Sequence, residues 1–302
     1  MPVIASYILV VMIWATTPMA IKLSSLGMSA QAAILLRMLL ATVLMSLVVA
    51  VWRHAACLKR RHLPVYLAAS IALFPNMALV YQASGWISSG MIAVMFALTP
   101  IVSGILAALL LREKRLGLRA VLAIAMALAG LLLVFVDQLA LSATALKGIG
   151  LMLCSVLLFS ISQVAVKYLQ RELIVDASEQ TLGALLLSLP GLLASWLWFD
   201  GSLPLQAPAA SLYAIAYLAV VGSVLGFVAY YFILSKLSVA LVSLIPMITP
   251  VLALWLGVLV LHEQVSPQLQ AGSALIVLAL LVYQQWRLPR LAGWGWKVGS
   301  RQ

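Results

Sequence analysis

Charged side chains are scarce in this sequence. Only 8% of its 302 residues are Asp, Glu, Lys or Arg, whereas a soluble domain carries about 25%. Hydrophobic residues make up 65% of the chain. These proportions exclude an ordinary soluble protein and predict an all-α membrane protein that crosses the bilayer many times.

Acidic residues are rarer than basic ones. Seven Asp and Glu stand against 18 Lys and Arg, which gives a formal net charge of +11. In a soluble protein this balance would suggest nucleic acid, but in so apolar a chain it indicates cytoplasmic loops that face anionic lipid. We therefore expect membrane lipid as a partner and no nucleic acid.

Residues that carry catalysis or bind metals are few. Cys57 and Cys154 lie far apart, without a partner at metal-ligand spacing. The three His and all seven acids fall at or beyond the ends of the apolar runs, and no phosphate-binding or dinucleotide-binding glycine motif is present. The sequence predicts no metal site, no cofactor and no enzyme activity. A polytopic membrane enzyme remains the less favoured alternative.

Ten apolar runs are long enough to cross a membrane as helices. In lipid a spanning segment satisfies its own backbone hydrogen bonds, so runs of this length are helices. We refer to them as the first to tenth spans, and they cover residues 3–22, 29–51, 64–83, 87–111, 118–136, 147–168, 179–199, 209–233, 238–261 and 267–286.

The basic residues predict the orientation. With the N-terminus in the cytoplasm, 15 of the 18 Lys and Arg fall on the cytoplasmic side. Lys22 and Lys147 fall on the outer side, and Arg37 lies within the second span. The positive-inside rule therefore predicts that both termini are cytoplasmic.

The two halves of the chain resemble one another. A shift of 150 residues aligns Thr99 and Pro100 with Thr249 and Pro250, and also aligns Glu113 with Glu263 and Tyr81 with Tyr231. A shift of 145 aligns Trp14 and Lys22 of the first span with Phe159 and Lys167 of the sixth. Five spans per half is an odd number, so the sequence predicts two inverted repeats, residues 1–146 and 147–302, the second ending in a short cytoplasmic tail.

These residues resemble the EamA family of the drug/metabolite transporter superfamily. In the first half the similarity rests on Trp14, Lys22, Arg37 in LLRMLLA, Tyr81, Pro100 in ALTPIV and Glu113 in LLLREK. In the second half it rests on Lys167, Tyr230, Tyr231, Pro250 in MITPVL, Glu263 in VLHEQ and Gly272. Leu122 stands where the second half has Gly272, and Arg37 has no counterpart, which weakens strict two-fold equivalence.

Within that family the chain is similar to the YddG-like amino-acid exporters of the Gram-negative inner membrane. The resemblance implies export of amino acids with broad specificity, including aromatic ones, by alternating access, with substrate between the third, fourth, eighth and ninth spans. It leaves a drug or metabolite efflux carrier on the same scaffold as the alternative. The oligomeric state cannot be read from the sequence.

Polar and aromatic residues at mid-depth are the candidates for substrate binding. Each also has a structural interpretation, since small hydroxyl residues mediate helix packing in membranes. Asn76 and Gln163 are favoured because burying an unpaired amide is costly. The predicted binding residues are Trp14, Asn76, Tyr81, Thr99, Ser103, Gln163, Tyr230, Ser243 and Thr249.

Charges and prolines within or near the spans have further predicted roles. Arg37 is interpreted as a structural charge that pairs or snorkels, with substrate carboxylate contact left open. Glu113 and Glu263 are also assigned as structural charges, and Pro100, Pro246 and Pro250 as hinges, with static kinks as the alternative. Because no acid or His lies at mid-depth, facilitated diffusion is expected rather than proton coupling.

Overall fold

A computed structural model describes residues 2–52, 58–110, 118, 122–123, 125–130, 132–133, 143–202, 207–242, 245–262 and 266–285, and every regular element in these ranges is helical. We number the α-helices α1 Val3–Ser24, α2 Ala30–Trp52, α3 Leu63–Ser70, α4 Asn76–Ser84, α5 Ser89–Phe96, α6 Thr99–Leu110, α7 Ala143–Leu169, α8 Ala177–Phe199, α9 Ala209–Tyr217, α10 Gly226–Lys236, α11 Val239–Val242, α12 Ile245–Leu261 and α13 Pro267–Gln285. A 3-10 turn, Arg60–His62, precedes α3, and a π-helical segment, Leu218–Leu225, joins α9 to α10.

Six helical stretches are long and apolar enough to cross a membrane. They are Val3–Ser24, Ala30–Val51, Ser89–Leu110, Thr144–Leu169, Ala177–Phe199 and Ala209–Lys236. The all-helical, multi-pass prediction is therefore confirmed, while the count of ten spans stays a prediction. Much of the fifth span, Glu113, Glu263 and Ser243 lie outside the described residues.

Large apolar side chains cover the outside of the bundle. On α2, Val43 and Leu47 are each 57% exposed, and on α8 Trp198 is 85% exposed. Polar side chains such as Gln163 and Asn76 are buried in the interior instead. Contiguous exposed apolar surface of this kind suits contact with lipid chains.

Three of the predicted spans are not continuous α-helices. The third breaks between α3 and α4 at Ile71–Pro75, and the fourth turns at Ala97 and Leu98 directly before Pro100. Proline lacks the N–H that would continue the helical ladder, which accounts for both breaks. The eighth span changes to π-helix at Leu218–Leu225 without a proline, a departure that the sequence did not predict.

Helices from the first half interleave with helices from the second. The first helix, α1, packs against α12, α10 and α9, while α7 packs against α6, α4 and α3. The second helix, α2, packs on α8, and α5 packs on α12. The core of the molecule therefore lies where the two halves meet.

Candidate functional site

A cavity lies at the junction of the two halves. Residues of α1, α2, α4, α5, α7, α10, α12 and the π-helical segment line it. The lining residues are Trp14, Thr17, Pro18, Ile21, Arg37, Met77, Ile92, Ala93, Phe96, Phe159, Gly222, Phe227, Pro246 and Thr249. The cavity thus draws on more spans than the third, fourth, eighth and ninth, where we expected the site.

Aromatic rings form one wall of this cavity. The ring centroid of Trp14 lies 5.6 Å from that of Phe159. It also lies 5.2 Å from that of Tyr230, which does not itself line the cavity. Phe96 adds an edge-to-face contact with Phe159 at 6.1 Å. These spacings and angles are those at which aromatic pairs attract one another, so the wall holds a fixed shape that another ring or a branched apolar group can pack against.

Arg37 contributes a buried positive charge to the same cavity. Its side chain is 2% exposed, although burying an arginine costs about 2.5 to 3.5 kcal/mol on insertion scales. Its Nε donates to Oγ of Ser223 at 3.0 Å, and its Nη1 donates to the hydroxyl of Tyr81 at 3.4 Å. Tyr81 also presents its ring 5.9 Å from the guanidinium carbon. Arg37 is therefore paired in the interior and does not snorkel to the interface.

The π-helical segment brings the eighth span close to Arg37. Ser223 and Gly222 both belong to this segment, and Gly222 lines the cavity. A Cβ at position 222 would lie 3.3 Å from Nη2 of Arg37, so glycine leaves room for the guanidinium. Single π-helical turns inside α-helices occur frequently at functional sites, and here the turn contributes a hydrogen bond to the buried charge.

Three of the predicted binding residues use their polar groups in hydrogen bonds within the protein. Asn76 donates to the carbonyl of Ala72 at 3.0 Å and accepts from the hydroxyl of Ser155. Ser103 donates to Oε1 of Gln163 at 3.0 Å. These side chains are buried and hydrogen-bonded between helices, and they do not line the cavity.

The two Thr-Pro pairs differ in their hydrogen bonds. Pro250 frees the carbonyl of Pro246, and the hydroxyl of Thr249 donates to that carbonyl at 3.2 Å. The hydroxyls of Thr99 and Tyr230 are buried and have no hydrogen-bond partner within the described residues. Thr249 and Pro246 line the cavity, whereas Thr99, Pro100 and Pro250 are buried beside it.

A buried polar cluster joins α3 to α8 near their first turns, and sequence reasoning missed it. Nδ1 of His62 lies 2.8 Å from Oε1 of Glu179, and the Tyr66 hydroxyl donates to the same carboxylate. The backbone N–H of Lys59 donates to that hydroxyl at 3.2 Å. The sequence placed His62 and Glu179 at helix ends but gave no sign that both would be buried.

Two lysines at aligned positions make similar contacts. Nζ of Lys22, at the end of α1, donates to the carbonyl of Ile87 at 3.4 Å, just beyond α4. Nζ of Lys167, near the end of α7, donates to the carbonyl of Leu234 in the last turn of α10 at 2.7 Å. A cation at the carboxyl end of a helix is stabilised by the terminal carbonyls.

The bundle of apolar-faced helices around an interior cavity that is mostly apolar but holds one buried charge suits a membrane transport protein. The chain belongs to the EamA-like transporter family, whose model matches residues 1–136 and again residues 146–284. This family belongs to the drug/metabolite transporter superfamily and consists of transporters, which fits the expectation that the chain is not an enzyme.

Solved structures share the fold. A crystal structure of another protein superposes with a TM-score of 0.71 over 94% of this chain and 97% of that chain, at 18% sequence identity. Twenty-eight chains of solved structures match significantly. No curated protein matches the sequence significantly.

Proposed function

We propose that this transporter exports amino acids from the cytoplasm across the inner membrane of a Gram-negative bacterium, as the YddG-like exporters do. Transport proceeds by alternating access between two inverted halves of five spans, residues 1–146 and 147–302, with both termini in the cytoplasm. The observation that carries the proposal is the cavity between the halves, which combines aromatic walls with one buried guanidinium.

Several observations support the two inverted halves. The family model matches the chain twice in succession. The helix contacts also keep their pattern when the halves are exchanged, because α1 on α12 corresponds to α7 on α6, and α7 on α4 corresponds to α1 on α10. Trp14 and Phe159, which the repeat aligns, touch one another as residues beside a two-fold axis would.

The lining favours an amino acid as cargo over the alternatives. A drug or other apolar metabolite is the second candidate, and the mostly apolar walls favour it. Arg37 disfavours a cationic drug, because a fixed positive charge in a low-dielectric site repels a cation. A neutral zwitterion with an apolar side group suits both the walls and the charge.

The energetics follow from the chemistry of the lining. Among the described residues that line the cavity none is Asp, Glu or His, the groups that proton-coupled carriers place within the bundle. Glu179 is buried but lies outside the cavity, bonded to His62 and Tyr66. Facilitated diffusion down the amino-acid gradient is the mechanism we propose.

Reconstitution into liposomes tests this function. Uptake of a panel of labelled amino acids is measured with and without an imposed pH gradient, beside protein-free liposomes. We expect uptake of large apolar and aromatic amino acids that equilibrates and does not depend on the pH gradient. Accumulation driven by protons would overturn the uncoupled mechanism, and uptake of cationic drugs without amino acids would favour the second candidate.

A further inference from the structure

We propose that Arg37 binds the carboxylate of the cargo and that Ser223, in the π-helical segment, positions it for that task. The inference rests on the proposed function, because it takes the cavity as the transport site. It names a substrate class: molecules that carry a free carboxylate beside an apolar or aromatic group. Amines of the same shape that lack the carboxylate are excluded.

Arg37 has more hydrogen-bond donors than its described neighbours accept. A guanidinium has five N–H groups. Ser223 accepts from Nε at 3.0 Å, and Tyr81 accepts from Nη1 at the long distance of 3.4 Å. Within the described residues no further acceptor bonds to Arg37, so donors remain on a side chain that is 2% exposed. Those donors belong to a residue that lines the cavity.

The charge of Arg37 has no counter-charge among its described neighbours. Arginine remains protonated at any physiological pH. In the described part of the chain no carboxylate lies within ion-pair distance of Arg37, and its two hydrogen-bonded neighbours are neutral hydroxyls. A planar guanidinium with free parallel N–H groups matches a carboxylate in both charge and geometry. A carboxylate is therefore the ligand that would satisfy both the charge and the free donors of this side chain.

The charge of Arg37 lies at the same cavity as the aromatic walls. Trp14, Phe96 and Phe159 line the same cavity and form one aromatic cluster. A cargo whose carboxylate meets Arg37 would place its apolar group in this cavity. The two features together select for one molecule with both groups, not for an anion or an apolar compound alone.

Ser223 is the positioning residue in this arrangement. Its hydroxyl accepts from Nε and leaves the two terminal nitrogens of the guanidinium turned toward other partners. Gly222 beside it leaves the space into which Nη2 fits. The π-helical segment, which supplies both residues, thereby acts on specificity through the guanidinium of Arg37.

Binding to the purified full-length protein in detergent tests the inference. Four probes share a phenyl group: L-phenylalanine, L-phenylalaninamide, phenethylamine and 3-phenylpropanoate. Calorimetry on the parental protein should show that both carboxylates bind at least about tenfold more tightly than the amide and the amine, as expected for a hydrogen bond to a charged group. In Arg37→Gln this preference should disappear.

Three further variants keep the test decisive. Arg171→Gln removes an exposed arginine that also lies 5.9 Å from a tyrosine ring, that of Tyr168, and should leave the preference intact. Arg37→Lys keeps the charge without the fork and should retain only part of the preference. If Arg37→Gln does not elute as a folded protein, Ser223→Ala keeps the charge and should reduce carboxylate binding severalfold while sparing phenethylamine.

The outcomes separate this inference from the proposed function. Equal affinity of the parental protein for L-phenylalanine and its amide, an unchanged preference in a folded Arg37→Gln variant, or no binding of either carboxylate would overturn the role of Arg37. An unchanged preference in Ser223→Ala would overturn the positioning role of Ser223. Amino-acid uptake by liposomes in that case would leave the proposed function standing. Carboxylate binding that depends on Arg37, without amino-acid uptake, would support the anchor and contradict the exporter.

Discussion

At the scale of single residues, two buried ionisable sites stand in contrast. Arg37 faces a cavity with neutral partners, whereas Glu179 is surrounded by His62, Tyr66 and the backbone of Lys59. Buried charges are tolerated when hydrogen bonds compensate them. Glu179 is compensated from all of these neighbours, which is typical of a structural site, while Arg37 retains donors for a ligand.

We expect Glu179→Gln to destabilise the protein. The change removes a charged acceptor for Tyr66 and His62, and a hydrogen bond to a charged group contributes about 1.5 to 3 kcal/mol. Thermal unfolding in detergent should show a clear loss of stability. The matched variant Glu172→Gln, on an exposed side chain, should unfold like the parental protein. Equal melting of both variants would mean that the cluster contributes no stability.

Some residues of the site could be predicted from the sequence and others could not. Trp14, Arg37 and Thr249 are unusual within apolar runs, and all three line the cavity. The sequence does not indicate that the side chains of Gln163 and Asn76 form hydrogen bonds with other helices instead of lining the cavity. In lipid both faces of a helix are apolar, so the sequence carries little periodicity from which the rotation of each helix could be deduced.

At the scale of helices, the sequence predicted where each span begins and ends better than whether the span is one continuous helix. The first, second, sixth and seventh spans agree with α1, α2, α7 and α8 to within a few residues. The breaks in the third and fourth spans were signalled by Pro75 and Pro100. The π-helical segment contains no proline and has no such signal, although its Ser223 accepts a hydrogen bond from Arg37 of another helix.

The contact of α8 with α3 predicts how two glycine substitutions differ. A Cβ at Gly183 would lie 2.5 Å from Cγ of Tyr66, so Gly183→Ala should overpack the interface and cost about 1 to 3 kcal/mol. A Cβ at Gly150 in α7 meets nothing within 4 Å, so Gly150→Ala should stabilise by up to about 1 kcal/mol. Thermal unfolding measures both. A neutral Gly183→Ala would show that this interface is loose.

The prolines of the fourth and ninth spans predict opposite shifts in access. Pro100→Ala would restore a donor where α5 breaks from α6, and Pro250→Ala would add a donor toward the carbonyl that Thr249 now occupies. If both prolines are hinges, each change should stiffen one half and slow turnover more than it weakens binding. Labelling of a cysteine at the cavity position Thr17 should change in opposite directions. Parental transport and labelling in both variants would make the prolines static kinks.

At the scale of the whole molecule, the basic residues predict which ends face the cytoplasm. In a background of Cys57→Ser and Cys154→Ser, cysteines are placed at Arg60 and Ser300. An impermeant reagent should label both from the cytoplasmic side and neither from outside. Ser202→Cys, in the loop after α8, should behave in the opposite way. Labelling of position 60 or 300 from outside would reverse the topology.

The first and sixth spans, which the repeat aligns, contribute different numbers of residues to the lining of the cavity, and this difference bears on transport. Four lining residues come from α1, among them Thr17 and Pro18, but α7 contributes Phe159. The repeat aligns Thr17 and Pro18 with Ser162 and Gln163, which are buried and do not line the cavity. In an inverted-repeat transporter the opposite access state is reached when the halves exchange their conformations. That exchange would bring Ser162 and Gln163 to the cavity and remove Thr17 and Pro18 from its lining.

This exchange predicts that labelling at Thr17 and Gln163 is anticorrelated. With the N-terminus cytoplasmic, α1 runs outward from Trp14 to Ile21, so Thr17 lies in the outer half of this helix, and we predict that the present cavity is reached from the outer face. A cysteine at 17 should be labelled from outside and one at 163 from the cytoplasm, and any condition that raises one should lower the other. Ser155→Cys, buried beside Asn76, should stay unlabelled from both sides. Parallel changes at 17 and 163 would contradict exchange between two inverted halves and favour a single pore that widens as one.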